Sequence, residues 1–553
     1  MIHAGLPETM AASTPSSPPP DYETFTIPPR ILVIGAGSRG CTYAAITTQY
    51  SNAVIAAVCE PVAYKRSEFG RRFIWGEGGA AGVGQAFGDW REWVEYEVGR
   101  RGRQGEGGGG EEGERGVDAV FVCVLDELHE EVVVGMAGLG VHVCCEKPMS
   151  TRLESCVKMY KALGGAGGTR ESTGKKEAVF GICHVLRYSP HNVLLRHLVR
   201  GEKVIGDVLS MEHVEPIGWW HFSHSYVRGN WRKESKTAPS LLTKSCHDMD
   251  FLLWMLCSPP PEAEHAPPHL PSYVASTGSR KFFRKDRKPQ AAGRATNCLD
   301  CAHEQDCEYS ARKIYLDRFL LSGHTGWPVK VVNPEVEDMY TTQGQTAAAK
   351  ALLKNLGEDY TEEAAADEIE ARPWFGRCVW EADNDVCDDQ YVTIDWEDDP
   401  IDHDSHGRPM LDGRAAKTAQ FHMVAFTEKM CDRRGRIYGT QGEIEYDSTS
   451  ITVHSFATGQ TTTHHPQVAG IGHGGGDEGL VRQFLRAVNA VDSGAMSAAD
   501  AQRRFLGCDL DEAFRSHALV FVAEAARNER RVVDWRKWWS ANVAGQLEAK
   551  AGG

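Results

Sequence analysis

The chain has 553 residues, 41% of them hydrophobic and 25% charged, with a formal net charge of −16. That length exceeds one ordinary core and predicts two domains with insertions. The negative charge opposes a phosphate backbone and excludes nucleic acid as a partner class, and no window approaches the roughly 20 apolar residues of a membrane helix.

In chain order, MIHAGLPETMAASTPSSPPPDYETF has neither the basic start nor the apolar run of a secretory signal. Its Ser/Pro content predicts a disordered arm over residues 1–27. Sixteen cysteines in this length are not disulfide-dense, and the Cys144–Cys145 pair inside an apolar run points to a reducing compartment, the cytoplasm. RILVIGAG, SRGCTYAAITTQY and AVIAAVCE (30–60) read as strand, turn, helix and strand. Residues 76–116, with GEGGGGEEGERG, read as a flexible surface insertion. VDAVFVCV (117–124) and VHVCC (141–145) are further buried strands, separated by a helical stretch from Glu127 to Met136. Leu153–Leu163 is amphipathic, 164–177 reads as a loop, and EAVFGICHVLRYSP (177–190) holds one more strand. Such alternation implies a parallel, doubly wound sheet, placed over 28–150.

Beyond residue 200 the texture changes to KVIGDVLSMEHVEP, QYVTIDW, GRIYGTQGEIEYD and SITVHSFA. These runs predict an α+β domain over 151–545 with a large, mostly antiparallel sheet. APSLLTKSCHDMDFLLWML (238–256) reads as one core-facing helix that puts Lys244 and His247 on one face. The last helices fall at about 477–490 and 509–528, and no internal repeat is found.

Two motifs carry chemistry. Gly35-Ala36-Gly37-Ser38-Arg39-Gly40 fits G-x-G-x-x-G between a strand and a helix: Gly35 for the tight turn, Gly37 for pyrophosphate approach, Gly40 for close packing. The helix that Ser38 and Arg39 open would face the phosphates with free N–H groups. Glu60 ends the second strand twenty residues past Gly40, where an acid binds the ribose 2′-hydroxyl and repels a 2′-phosphate. This predicts NAD. Arg39 and Arg66 could reach a 2′-phosphate, so NADP stays open. In Glu146-Lys147-Pro148, proline fixes the local path and holds Lys147 on a stiff turn, at the carboxyl edge of a strand where ligands bind.

With GAGSRG, Glu60 and Glu146-Lys147-Pro148 assembled, the chain resembles the Gfo/Idh/MocA oxidoreductases from about residue 30 to 535, excluding the glycine-rich insertion. The resemblance implies an N-terminal Rossmann domain and hydride transfer between a nicotinamide and a secondary hydroxyl of a sugar, inositol or related polyol. It makes Lys147 the residue that handles the substrate hydroxyl and Glu146 a cofactor contact. The family's T-P-x-x-x-H loop appears here as Val124 to His129, so cofactor contact is expected from Asp126 and His129. The family's helix motif D-x-x-x-H keeps its histidine as His247, a fitting general acid/base, but has Thr243 in the aspartate's place. Either Lys244 takes over that place with opposite charge, or the site handles a different substrate.

RYSP (187–190), HFSHSYVRGNW (221–231), GRCVWEADNDVCDDQ (376–390), GHGGGD (472–477) and SHALVFVAEAAR (516–527) look like one branch of this family. Arg187, His221, Arg228 and Trp231 suit a sugar, whose hydroxyls need hydrogen bonds and whose C–H face stacks on a ring. HFSHSYVRGNW is equally readable as a structural connection. In GHGGGD, Asp477 reads as a helix N-cap, with His473 beside it. Cys298-x2-Cys301-x5-Cys307 has zinc-like spacing, with His303, Cys378 or Cys387 as a fourth ligand. A reduced, packed loop is the favoured reading, and no metal is expected. The resemblance further implies a homo-oligomer. Two rival functions are an NAD-using glycoside hydrolase and a non-enzymatic nucleotide-binding regulator.

Overall fold

The computed structural model describes residues 21–106, 115–164, 177–259, 266–361, 363–403, 409–411, 413–467 and 473–548. Six parallel strands form the first sheet in the order β3-β2-β1-β4-β5-β6. They are β1 (Arg30–Ile34), β2 (Val54–Cys59), β3 (Ala86–Phe87), β4 (Ala119–Val122), β5 (His142–Cys145) and β6 (Phe180–Ile182). Each strand is nearly all apolar because both faces are covered. Ile31, Val33 and Phe121 pack with Tyr43 and Ile46 of helix α1 (Ser38–Tyr50) on one side. Leu32, Ile34 and Val122 meet Val132 and Met136 of helix α4 (His129–Ala137) on the other.

The doubly wound sheet differs from expectation in its limits. Its last strand lies beyond residue 150, and the helix Gly476–Asp492 returns to cover it through Leu480 and Phe484. The chain thus leaves the first domain and comes back. Residues 76–106 are not a flexible insertion: after helix α2 (Ala63–Phe73) they supply β3 and helix α3 (Trp90–Glu106). Trp93 is buried there, and Glu97 bonds Arg100 and Arg101. The densest glycine run, 107–114, lies outside the described residues, as do 1–20 and 165–176. Residues 21–27 of the expected arm are structured: Phe25 is buried and Glu23 pairs with Arg482 and Arg486.

The second sheet has nine strands in the order β16-β15-β14-β13-β7-β12-β9-β8-β17. These are β7 (Val208–Pro216), β8 (Tyr273–Ser279), β9 (Asp389–Trp396), β12 (Lys417–Val424), β13 (Arg434–Gly439), β14 (Gly442–Tyr446), β15 (Ile451–Ser455), β16 (Thr461–His464) and β17 (Val533–Asp534); β10 (Asp402–His403) and β11 (Pro409–Met410) form a separate pair. All its pairings are antiparallel except β7 with β12. Met211, Ile394, Phe421 and Ile437 face the helices Cys246–Leu256 and Leu510–Glu529. On the opposite face the strands alternate to partly exposed Tyr391, Gln420 and His422.

Candidate active site

A cleft of about 2250 Å³ runs from the glycine turn to the second domain. That is more than the 300–1,000 Å³ of an ordinary small-molecule pocket, and enough for a dinucleotide with a substrate. At its Rossmann end, Gly35 has φ +97°, and a Cβ there would stand 2.4 Å from the Cys123 carbonyl oxygen. A Cβ on Gly40 would stand 2.1 Å from the Gly35 carbonyl oxygen, so this residue keeps α1 against β1. A Cβ on Gly37 would meet nothing within 4 Å; Gly37 lines the cleft, and no side chain caps the helix it precedes. Backbone donors are therefore presented to an anion. Glu60 sits just past β2 and is nearly buried, accepting from the Ala36 amide at 2.9 Å and the Val62 amide at 3.0 Å.

Arg39 does not point along the cleft toward a ribose. It bonds Glu146 at 2.7 Å, Asp477 at 2.6 Å and the Tyr43 hydroxyl at 2.6 Å. Burial opposes ionisation of Glu146, but Arg39 and Lys147 outweigh it and hold its carboxyl below the ordinary range. Asp477, expected as an N-cap, makes no cap: it lies inside the helix and pairs with Arg39 and with His473 at 3.0 Å. A buried helix start so close to an arginine is better met by a full ion pair than by a cap.

Lys147 follows β5 and projects into the cleft, where its ammonium donates to the Thr243 carbonyl oxygen at 2.8 Å. That carbonyl is available because 238–256 is not one helix. Ser240–Thr243 ends, Lys244 and Ser245 turn, and a new helix starts at Cys246. His247 lies in the first turn of that second helix and lines the cleft. Burial, then the charge of Lys147 and the proximity of His473, pull its imidazole well below the ordinary histidine range. Its Nδ1 has no hydrogen-bond partner among the described residues.

Lys244 is buried beside Glu215, at 3.1 Å, and the Cys431 thiol, at 3.2 Å. Burial disfavours its charge, but Cys431 and Glu215 more than offset this and keep it an ammonium. It stands there as a buried cation. Arg433 completes this wall, paired with Glu215 at 2.7 Å and Asp248 at 2.6 Å. His221 stands near Cys431, with its Nδ1 3.7 Å from the sulfur, and burial pulls its basicity far down. Trp231 crosses between the domains, its indole N–H donating to Asp126 at 2.8 Å. Burial pushes the Asp126 carboxyl up.

Three expected site residues face elsewhere. His129 is fully buried and holds the Lys147 loop from behind, at 2.7 Å from the Pro148 carbonyl oxygen; it is not among the cleft residues. Arg187 is locked on Asp250 by two 2.8 Å bonds and on Glu512 at 2.6 Å. Arg228 turns into the second domain, onto the carbonyl oxygens of Arg377 and Tyr309. A guanidinium needs several acceptors in one plane, and buried carboxylates and carbonyls supply them better than an open cleft. Conversely, His473, Cys431 and Arg433 were not picked as site residues. GHGGGD carried a signal for His473; nothing local marked the other two.

Over residues 111–169, which contain β4, β5 and Glu146-Lys147-Pro148, the sequence matches the Gfo/Idh/MocA model, an oxidoreductase family with an NAD-binding Rossmann fold. The likeness to that family covers this segment of the first domain. Two curated relatives are similar over about a quarter of the chain. The 2,7-anhydro-N-acetylneuraminate hydratase of Escherichia coli (strain K12) is 31% identical over 140 residues, 25% of this chain and 34% of that protein. The 1,5-anhydro-D-fructose reductase of Ensifer adhaerens is 29% identical over 153 residues, 27% of this chain and 40% of that protein. The chain thus spans well under half the length of either in these matches. Among solved structures, an inositol dehydrogenase homolog complexed with NAD+ from Azotobacter vinelandii superposes with a TM-score of 0.54 at 13% identity, covering 92% of this chain and 98% of that one. That likeness shows the two-domain fold.

Proposed function

We propose that this chain is an NAD-dependent oxidoreductase acting on a secondary hydroxyl of a sugar, inositol or related polyol. The observation that carries the reading is the meeting of Lys147, from the end of β5, and His247, from a second-domain helix, in the cleft that begins at the glycine turn. When bound, a nicotinamide supplies the hydride acceptor or donor. The residues at its end of the cleft fit it: an uncapped helix start at Gly37, and the Glu60 carboxylate held by two backbone amides where a ribose would lie. A fixed anion at Glu60 favours a ribose hydroxyl over a phosphate. With Arg39 occupied by Glu146 and Asp477, it supports NAD over NADP.

In the oxidation direction, Lys147 has N–H donors beyond the one given to Thr243 and would hold the substrate oxygen as negative charge develops. His247, neutral because of burial and neighbouring charge, would take the hydroxyl proton. Lys244 and Arg433 stay cationic on the far wall, while Trp231, its N–H held by Asp126, and His221 offer ring faces to a polyol.

All sixteen cysteines are free, which supports a reducing, cytoplasmic setting. No described helix is long and apolar enough to cross a membrane. The uncovered face of the nine-stranded sheet supports a homo-oligomer through that face. A second reading is redox-neutral use of NAD, with oxidation and re-reduction around an elimination; the hydratase among the relatives favours keeping it.

Fluorescence titration with NAD and NADP tests the cofactor, with Glu60→Ala beside the wild type. The expected result is NAD preference, weakened roughly tenfold or more by loss of a charge-assisted contact of about 1.5–3 kcal/mol. Absence of binding for both nucleotides would sink both readings. Binding with substrate turnover but no net NADH would select the redox-neutral one.

A further inference from the structure

Away from the cleft, Cys298, Cys301, Cys307 and Cys378 line one cavity of about 20 Å³. Backbone pairing explains the convergence of residues so far apart in sequence. Asn297 bridges Arg377, the Cys298 amide donates to the Gly376 carbonyl at 2.9 Å, and the Cys378 amide donates to the Thr296 carbonyl at 2.8 Å. Cys298 and Cys378 are thereby set side by side on two short segments. From Cys298 the chain turns tightly: the Cys301 amide donates to the Cys298 carbonyl at 3.3 Å, and two further turns carry it to Cys307. A two-residue spacing on a tight turn, with the remaining thiols brought in by loop and neighbour, is the pattern of a structural four-thiolate zinc site.

Arg228 is the second, independent observation. It is 1% exposed and always charged, yet no carboxylate pairs with it among the described residues. Its donors go to the carbonyl oxygens of Arg377 and Tyr309 at 2.7 Å each, and to the Cys298 sulfur at 3.3 Å. Among the described residues its Nη1 has no hydrogen-bond partner. A buried guanidinium without a counter-charge is strongly disfavoured. Four neutral thiols do not supply that charge; four metal-bound thiolates do.

We propose that Cys298, Cys301, Cys307 and Cys378 bind one zinc ion as a tetrathiolate, with Arg228 donating to the Cys298 sulfur and offsetting the site's negative charge. On binding, the four thiols release four protons, and the ion with its thiolates is a net dianion that one guanidinium half neutralises. Among the described residues, no three His, Cys, Asp or Glu side chains are already drawn together as metal ligands. The ion would gather the sulfurs from the cavity wall by rotations about their Cα–Cβ bonds, which separate staggered wells. His303 also lines the cavity, but its side chain is left out of the set because four sulfurs complete a tetrahedral site. The segment 223–231, which supplies cleft residues Tyr226, Asn230 and Trp231, is tied to this loop through Arg228 and through the Trp374 amide, which donates to the Arg228 carbonyl at 3.1 Å. Zinc here would brace the wall of the cleft without entering it.

The test uses the full chain, made without a polyhistidine tag and purified without chelators. Elemental analysis should find one zinc per chain, released by a mercurial that titrates four thiols. Replacement by Co2+ should give the strong sulfur-to-metal charge-transfer absorption of a tetrathiolate. Cys301→Ser should lose the metal, while His303→Ala and Cys387→Ser should keep it. Folded wild-type protein that neither carries zinc nor takes up Co2+ with that spectrum overturns the proposal, as does iron in place of zinc. Loss of metal in His303→Ala overturns the four-sulfur assignment. The wild-type measurements stand whether or not a cysteine variant folds, and none of them depends on nucleotide binding or turnover.

Discussion

Lys147 reaches the cleft because two buried histidines hold its loop. His129 bonds the Pro148 carbonyl, and His517 accepts the Met149 amide at 2.7 Å while bonding the Ala513 carbonyl. The lysine can therefore be removed without moving the loop. Lys147→Ala should lower kcat by about 10²–10⁴-fold, the usual worth of a positioned proton-transfer group, and leave NAD affinity within a few-fold of wild type. An unchanged kcat would exclude Lys147 from the chemistry. His247 sets the pH dependence. Its protonated form cannot accept a proton, so kcat/KM should fall as pH drops through its pKa, which lies well below the ordinary value of about 6.5. Activity should thus be flat through neutrality on its acid side. An acid limb at or above pH 6.5, abolished in His247→Asn, would contradict the buried environment described for it.

At the scale of elements, Arg187 is a tie between helices. It joins Asp250, on the helix Cys246–Leu256, to Glu512, on the helix Leu510–Glu529, and the Ser516 hydroxyl bonds the same Asp250 at 2.6 Å. Removing the arginine leaves a buried carboxylate uncompensated. Arg187→Ala should therefore cost about 3–5 kcal/mol of stability in denaturant unfolding, with KM for any substrate unchanged in the folded fraction. A raised KM at wild-type stability would return Arg187 to the substrate site. The glycine turn sets a second element-scale limit. Gly40→Ala puts a methyl against the Gly35 carbonyl, so α1 must move off β1. A loss of about 1–3 kcal/mol is expected, along with weaker NAD binding in the fluorescence titration, because the helix start moves with the helix.

For the whole molecule, buried neutral histidines govern stability in mild acid. Burial, against the opposing charge of Asp250, pulls His184 down to about 3; burial and then Arg228 pull His224 down to about 3, and burial pulls His517 down to about 4. In the unfolded chain each returns to about 6.5, so below that pH the unfolded state binds more protons than the native one. Stability should be full above about pH 6.5 and fall as pH drops toward 4, by up to roughly 1 kcal/mol per pH unit for each histidine. Glu215, whose carboxyl burial pushes up against the pull of Arg433 and Lys244, acts in the opposite sense and offsets part of the loss. Thermal unfolding at pH 7.5 and pH 5 checks the balance; equal or higher stability at pH 5 would refute it.

The sequence by itself determined the features whose cause is local. G-x-G-x-x-G, Glu60 and Glu146-Lys147-Pro148 each depend on backbone shape within a few residues of a strand end. Five of the six parallel strands were legible as apolar runs because both faces of such a sheet are buried; β3, two half-buried residues, was not. Most of the large second sheet was legible from alternation. Tertiary structure alone decided where long charged side chains end. Arg187 and Arg228 look equally suited to a sugar in one dimension, yet their acceptors lie 63 and 149 residues away. His129 was placed at the cofactor by its motif, but packing turned it behind the loop. Asp477 sat where a cap is expected and was taken by Arg39, 438 residues distant. Residues 76–106 were read by glycine content, which hid the buried Trp93 that makes them a helix. A backbone turn is fixed by its own residues, whereas a buried charge goes to the counter-charge or carbonyl that the folded chain brings within reach.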